Sequence, residues 1–209
     1  ALTLLDRFLH PLVKPALKVL AGQLAERKIS ADQVTVAGFL LGLLAVPFII
    51  VNWYSVALVL IVLNRLSDGI DGELARLTLP TDAGGFLDIT LDFIFYQAVV
   101  FGFALAAPAN TFWALLLMLS FVGTGVSFLS FAIMAEKRQI KSVHYPNKAL
   151  HYLDGLAEGT ETIAIFLAFC LWPDYFPWLA GSFAVVCLIT TVSRILQSYR
   201  ILTEEAAVR

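Results

Sequence analysis

The chain has 209 residues, 59% of them hydrophobic and only 14% charged, with a mean hydropathy of +0.83 and a formal net charge of −2. A soluble domain carries about a quarter charged residues, so this composition excludes an ordinary soluble protein and points to a polytopic membrane protein. No nucleic acid is expected as a partner.

Residues 1–28 set Leu5, Leu9, Leu12, Ala16, Leu20 and Leu24 at helical spacing, with Arg7, Lys14, Lys18, Arg27 and Lys28 among them. That is the pattern of an amphipathic helix lying in the headgroup region, bent by Pro11 and Pro15. No small-residue cleavage site follows a short apolar core, so a removed signal peptide is not expected. Apolar stretches of about 20 residues, enough to cross about 30 Å of hydrocarbon, then follow at approximately 33–52, 54–70, 86–106, 111–134, 160–171 with its flanks, and 178–199. The expected fold is all-α: an interfacial N-terminal helix and six transmembrane helices, the bundle spanning 33–202. With no internal repeat, no low-complexity segment and no long linker, residues 1–209 read as one domain.

Across those six spans all 14 Lys and Arg fall on one side: before the first span, near the end of the second (Arg65, Arg76), after the fourth (Lys137, Arg138, Lys141, Lys148) and at the chain end (Arg194, Arg200, Arg209). The positive-inside rule therefore puts both termini in the cytoplasm. Trp53, Trp113, Trp172 and Trp178 fall near the opposite boundary, as an aromatic belt requires. Cys170 and Cys187 sit at different depths in consecutive spans, so no disulfide is expected.

Asp68, Asp71, Asp88 and Asp92 interrupt two of these apolar segments. A charge near the bilayer core costs at least about 2.5 kcal/mol, so such acids usually face a polar cavity, an ion or a substrate. Asp68 and Asp71 are three apart and share a helix face with Gly72 and Ala75, with Arg76 at its margin. Pro80 and Thr81 fit a break in the chain, after which Gly84, Asp88 and Asp92 stack at four-residue intervals on the next helix. Four convergent carboxylates repel one another unless cations neutralise them, and hard oxygen ligands select Mg2+ or Mn2+. His10, His144 and His151 lie outside the constellation. Gly72, Ala75 and Gly84 remove bulk beside the acids, opening room for a phosphorylated ligand, and Arg76 adds a cation suited to phosphate. Metal pairs held by carboxylates beside an arginine are a usual apparatus of phosphoryl transfer. One intramembrane acid or one glycine alone reads as a helix-packing residue; the whole set does not.

The arrangement Asp68-x-x-Asp71-Gly72-x-x-Ala75-Arg76, seven residues, Gly84, three residues, Asp88, three residues, Asp92 resembles the complete signature of the CDP-alcohol phosphotransferases (CDP-alcohol phosphatidyltransferases). The resemblance extends to the six spans and the amphipathic N-terminal helix. It implies a bacterial inner-membrane enzyme of phospholipid biosynthesis whose site faces the cytoplasm. There a hydroxyl of an acceptor alcohol attacks the pyrophosphate of a CDP-linked alcohol such as CDP-diacylglycerol and releases CMP, with two divalent ions in the site. Carried over, Asp68 and Asp71 are ligands of separate ions, Asp88 is the bridging ligand, and Asp92 is both a ligand and the base. Gly72, Ala75, Arg76, Thr81 and Gly84 belong to the CDP-donor site. Ala31-Asp32-Gln33-Val34-Thr35 stands where members often carry Pro-Asn near the nucleotide, which makes Ala31, Asp32, Gln33 and Val34 donor-site candidates; Asp32 alternatively caps the helix.

For the acceptor, Lys137, Arg138 and Arg194 form a candidate clamp for an anionic alcohol, with Arg194 the stronger candidate because it lies inside an apolar segment. Glu158 and Glu161, three apart at the start of the fifth span, argue the opposite preference if they face the cavity. A phosphatidylglycerol-phosphate or inositol-phosphate type of synthase is the alternative within the family. Gly38 and Gly42, and the stripe Ser120, Gly123, Thr124 and Ser127, allow close helix approach; most such stripes serve one subunit, and a homodimer is implied chiefly by the resemblance. A divalent-cation or proton-coupled transporter is the reading from a different class, but it predicts two related halves and charges near the midplane. An inert adaptor is disfavoured because every motif acid is present.

Overall fold

The computed structural model describes residues 6–138 and 159–204, and these are helices joined by short turns, without strands. The helices are α1 (Asp6–Glu26), α2 (Ala31–Leu43), α3 (Ala45–Ile50), α4 (Tyr54–Leu77), α5 (Asp82–Ala106), α6 (Thr111–Lys137), α7 (Gly159–Leu171) and α8 (Phe176–Glu204). Four stretches, Ala31–Ile50, Asp82–Ala106, Pro108–Lys137 and Pro173–Thr203, are long and apolar enough to cross a membrane. Each leaves large apolar side chains exposed, such as Leu41, Phe101, Leu119 and Leu196, as a lipid-facing surface requires. The charged α4 and the 13-residue α7 complete the bundle.

The breaks have local causes. Pro47 has no N–H to offer the Leu43 carbonyl, and the 33–52 stretch accordingly divides at Leu44 into α2 and α3. Asn52 turns the chain into α4 at a φ of 62°, a conformation asparagine tolerates well. The cap of α2 is Ser30 rather than Asp32. Its Oγ accepts the Gln33 N–H at 3.2 Å while Gln33 Oε1 accepts the Ser30 N–H at 3.0 Å, a capping box that uses two otherwise orphaned donors. Thr81 caps α5, its Oγ1 accepting the Gly84 N–H at 3.0 Å.

α4 is central, touching α1, α2, α3 and α7, while α2 and α3 also pack on α5, and α6 pairs with α8. In lipid, apolar transfer gives no preference for helix over tail, so close packing carries association. Phe103 stacks on Phe176 with centroids 4.9 Å apart, Phe169 meets Phe176 edge-on at 4.6 Å, and Phe166 bridges Phe95 and Phe121. A Cβ on Gly42 would lie 2.8 Å from the Phe95 ring, and one on Gly123 3.0 Å from Thr191. Both small-residue stripes are thus engaged within one chain.

Leu17 of α1 packs over Gly69 of α4 and Ala21 is fully buried, whereas Leu20 of the apolar stripe is 45% exposed, on a surface that lipid accepts as readily as protein does. Cys170 and Cys187 are free thiols, both buried.

Candidate functional site

α4 runs unbroken past Ile70 to Leu77, so the whole segment from Asp68 to Arg76 lies on one helix, facing Asp88 and Asp92 of α5. Asp68, Asp88 and Asp92 each present a carboxylate oxygen within 4.8 Å of the others. Asp71, buried beside them, accepts a 2.6 Å hydrogen bond from Thr35 Oγ1 of α2. A set of carboxylate oxygens at this spacing fits a hard divalent cation, Mg2+ or Mn2+, and offers nothing to a soft one.

Three contributors escaped the sequence reading. Arg65 pairs with Asp68, and its Nη1 lies 3.6 Å from Asp92 Oδ2, so a guanidinium is inserted among the acids. Its three-residue spacing from Asp68 was the available signal, obscured because Arg65 also satisfies the charge asymmetry. Tyr96, one turn beyond Asp92, donates its hydroxyl to Asp92 Oδ2 at 3.0 Å. Thr35 lay beyond reach, since nothing in the chain spacing brings α2 to Asp71.

A cavity of about 440 Å³ opens beside the acids between the end of α1, the start of α2, α4 and α5. Gly72, Ala75, Thr81, Gly84, Ala31 and Asp32 all line it. Gly84 keeps the wall close there: a Cβ would fall 2.9 Å from Asp32 Oδ1 and 3.1 Å from Thr81 Oγ1, so a larger residue would push the Asp32 side chain aside. Lys28 also lines it, from a left-handed conformation at φ 61°. Its N–H reaches the Ala25 carbonyl and that of Ile29 the Leu24 carbonyl, closing the end of α1 in a Schellman turn without the usual glycine. Gln33, Val34 and Arg76 are not among the lining residues; Gln33 closes the capping box, and Arg76 pairs with Glu73 at 3.0 Å.

On the other side of the acids lies a second cavity of about 410 Å³ with an aromatic wall that includes Phe93, Tyr96 and Phe121. Its polar lining includes Thr124, Thr162 and Arg194, beside Asp88 and Asp92. Arg194 is buried, donates to the Thr124 carbonyl at 3.3 Å and sits 5.4 Å from the centre of the Phe128 ring. Lys137 and Arg138 do not line it; Arg138 reaches instead to the Leu202 carbonyl of α8. Glu161 is not among its lining residues either, and Glu158 lies outside the described residues. Asp88 borders both cavities and the small space enclosed by the acids between them.

The sequence profile of the CDP-alcohol phosphatidyltransferase family matches residues 28–196. The chain is 50% identical over 94% of its length to the Escherichia coli inner membrane protein YnjF, covering 96% of that protein. It is 35% identical to the archaetidylinositol phosphate synthase of Pyrococcus horikoshii over 46% of this chain and 52% of that one. Among solved structures, the Mycobacterium tuberculosis phosphatidylinositol phosphate synthase PgsA1 with CDP-DAG bound has the same fold. The TM-score is 0.63 at 21% identity, over 88% of this chain and 93% of that one.

Proposed function

Because the chain belongs to the CDP-alcohol phosphatidyltransferase family and is a transferase, we propose that it moves the substituted phosphate group of a CDP-linked alcohol to the hydroxyl of an acceptor alcohol, releasing CMP. The observation that carries this reading is Asp88, which borders a bulk-free cavity on one side and an arginine-lined cavity on the other. Two reactants entering from opposite sides meet at the acids, and holding them there removes much of the entropic barrier to their reaction.

The nucleotide end of the donor occupies the cavity lined by Gly72, Ala75, Thr81 and Gly84, with the Arg76 guanidinium just behind Gly72. CDP-diacylglycerol is the donor we favour, supported by the CDP-DAG held in the related fold of the mycobacterial enzyme. Asp68, Asp71, Asp88 and Asp92 would hold two Mg2+ or Mn2+ ions, which neutralise the pyrophosphate and stabilise the leaving phosphate oxygen. Asp92 is the base. With Oδ2 accepting from Tyr96, its other oxygen is available to take the acceptor's proton as the acceptor oxygen forms its bond to phosphorus and the bond to CMP breaks.

The acceptor class is a phosphorylated alcohol. Buried Arg194 beside Thr124 and Thr162 supports an anionic ligand, and Glu161 does not line the same space to oppose it. In detergent with Mg2+, CMP release from CDP-diacylglycerol should be fastest with glycerol 3-phosphate or inositol phosphate and slow with inositol, serine, glycerol or ethanolamine. It should stop when a chelator removes divalent ions. No CMP release with any acceptor would sink the transferase reading for this donor.

We read the chain as six-spanning and homodimeric, in a bacterial cytoplasmic membrane, with the acids toward the cytoplasm and α1 in the interface. Ala109 between α5 and α6 and Leu79 between α4 and α5 are both exposed. A cysteine at 109 should react with an impermeant maleimide applied from outside and one at 79 should not; labelling of 79 alone would invert the topology.

A further inference from the structure

Glu73 is a charged residue that the proposed reaction leaves unused, and it is only 4% exposed. Its one hydrogen-bonding partner among the described residues is Arg76, whose Nη1 donates to Glu73 Oε1 at 3.0 Å, while the Arg76 side chain itself is 59% exposed. Burying a carboxylate carries a desolvation cost that a single partner on an exposed side chain does not usually offset, so stability alone is a weak reason for this pair. The position of the guanidinium supplies a better one. Nη2 lies 3.6 Å, and Nη1 3.8 Å, from the point that a Cβ on Gly72 would occupy, and Gly72 lines the donor cavity. Nη1 is therefore tethered to a buried acceptor, and Nη2, without a hydrogen-bonding partner in that pair, lies beside Gly72, a residue of the cavity lining.

We propose that Glu73 is a positioning residue for donor binding: it fixes the Arg76 guanidinium so that Nη2 is presented to a phosphate or ribose oxygen of the CDP portion. Arginine loses considerable rotamer freedom when it is immobilised, and a fork already tethered at one amino group loses less on binding. The effect falls on donor affinity, since Gly72, beside which the guanidinium lies, lines the donor cavity and not the acceptor cavity. The proposal rests on the reading of Arg76 as a donor contact, and the experiment separates the two.

KM for CDP-diacylglycerol, KM for the acceptor and kcat are measured in wild type, Glu73→Gln, Arg76→Ala, Arg76→Lys and the double variant Glu73→Gln/Arg76→Ala, with thermal unfolding in detergent alongside. Glu73→Gln should raise donor KM about tenfold with acceptor KM and kcat within about twofold of wild type, and it should add nothing to donor KM in the Arg76→Ala background. Arg76→Lys keeps the ion pair and hence the fold but lacks the second amino group, and it should raise donor KM nearly as much as Arg76→Ala. If Glu73→Gln does not fold, Arg76→Lys alone decides: a wild-type donor KM in that variant overturns the proposal. A raised donor KM in Arg76→Ala with an unchanged one in Glu73→Gln, even at lowered thermal stability, leaves Glu73 a purely structural residue and also overturns it. A wild-type donor KM in Arg76→Ala overturns the donor-binding role of Arg76, and the positioning role with it.

Discussion

Asp92→Asn is expected to lower turnover by at least about a hundredfold, the scale on which removing a key acid–base or electrostatic group acts. Asparagine keeps the shape and can still accept the Tyr96 hydroxyl, which lies 3.0 Å from Oδ2, but it cannot take a proton. The loss should therefore fall on kcat, with CDP-donor binding retained. Asp88→Asn should lose as much for a different reason. Asp88 lies in the cluster with Asp68 and Asp92 and borders both cavities, so its neutralisation weakens divalent-ion binding as well as catalysis. Mn2+ binding measured beside turnover separates the two variants: weakened in Asp88→Asn and Asp68→Asn, and weakened less in Asp92→Asn, where the lost proton acceptor adds to the loss of turnover. Undiminished turnover in Asp92→Asn would exclude it as the base.

Arg194→Ala should cut kcat/KM for a phosphorylated acceptor by at least about thirtyfold, the lower end of what removing one partner of a desolvated charge pair costs. Arg194 is well suited to discriminate. It is buried, held by the Thr124 carbonyl and set against Phe128, so its fork is little free to turn away. The ratio of kcat/KM for a phosphorylated and a neutral alcohol should collapse in this variant, and that ratio cancels any loss of folded enzyme. Glu161→Gln should leave it unchanged. A ratio that survives Arg194→Ala, or that shifts with Glu161→Gln, would return the assignment to a neutral or cationic alcohol.

The acids were legible because helical spacing along one chain segment already implies a shared face: Asp68 and Asp71 on α4, and Gly84, Asp88 and Asp92 on α5, need no tertiary information. Arg76 and Gln33 were legible as residue types but not as contacts. Arg76 turns to Glu73, a buried acid with no outward sign in the sequence, and Gln33 reaches back to Ser30. The acceptor side was the least legible. Lys137, Arg138 and Arg194 were one candidate clamp, with Arg194 preferred for its apolar segment; Arg194 alone among them lines the second cavity, while Arg138 is drawn to the end of α8.

The sequence by itself determined that the chain is helical and of membrane type, and which residues crowd the reactive faces of two successive helices. These follow from composition and from the 3.6-residue period, which are properties of a single segment. Only the tertiary structure decided that Arg65 stands among the acids, that Thr35 and Tyr96 hold Asp71 and Asp92, and that two cavities meet at Asp88. It also decided that α1 turns Leu17 and Ala21 rather than Leu20 toward α4. The physical reason is common to all of these: lipid and protein interior are nearly alike in polarity, so apolar periodicity does not say which face meets a neighbour. That is set by close packing between helices distant in sequence.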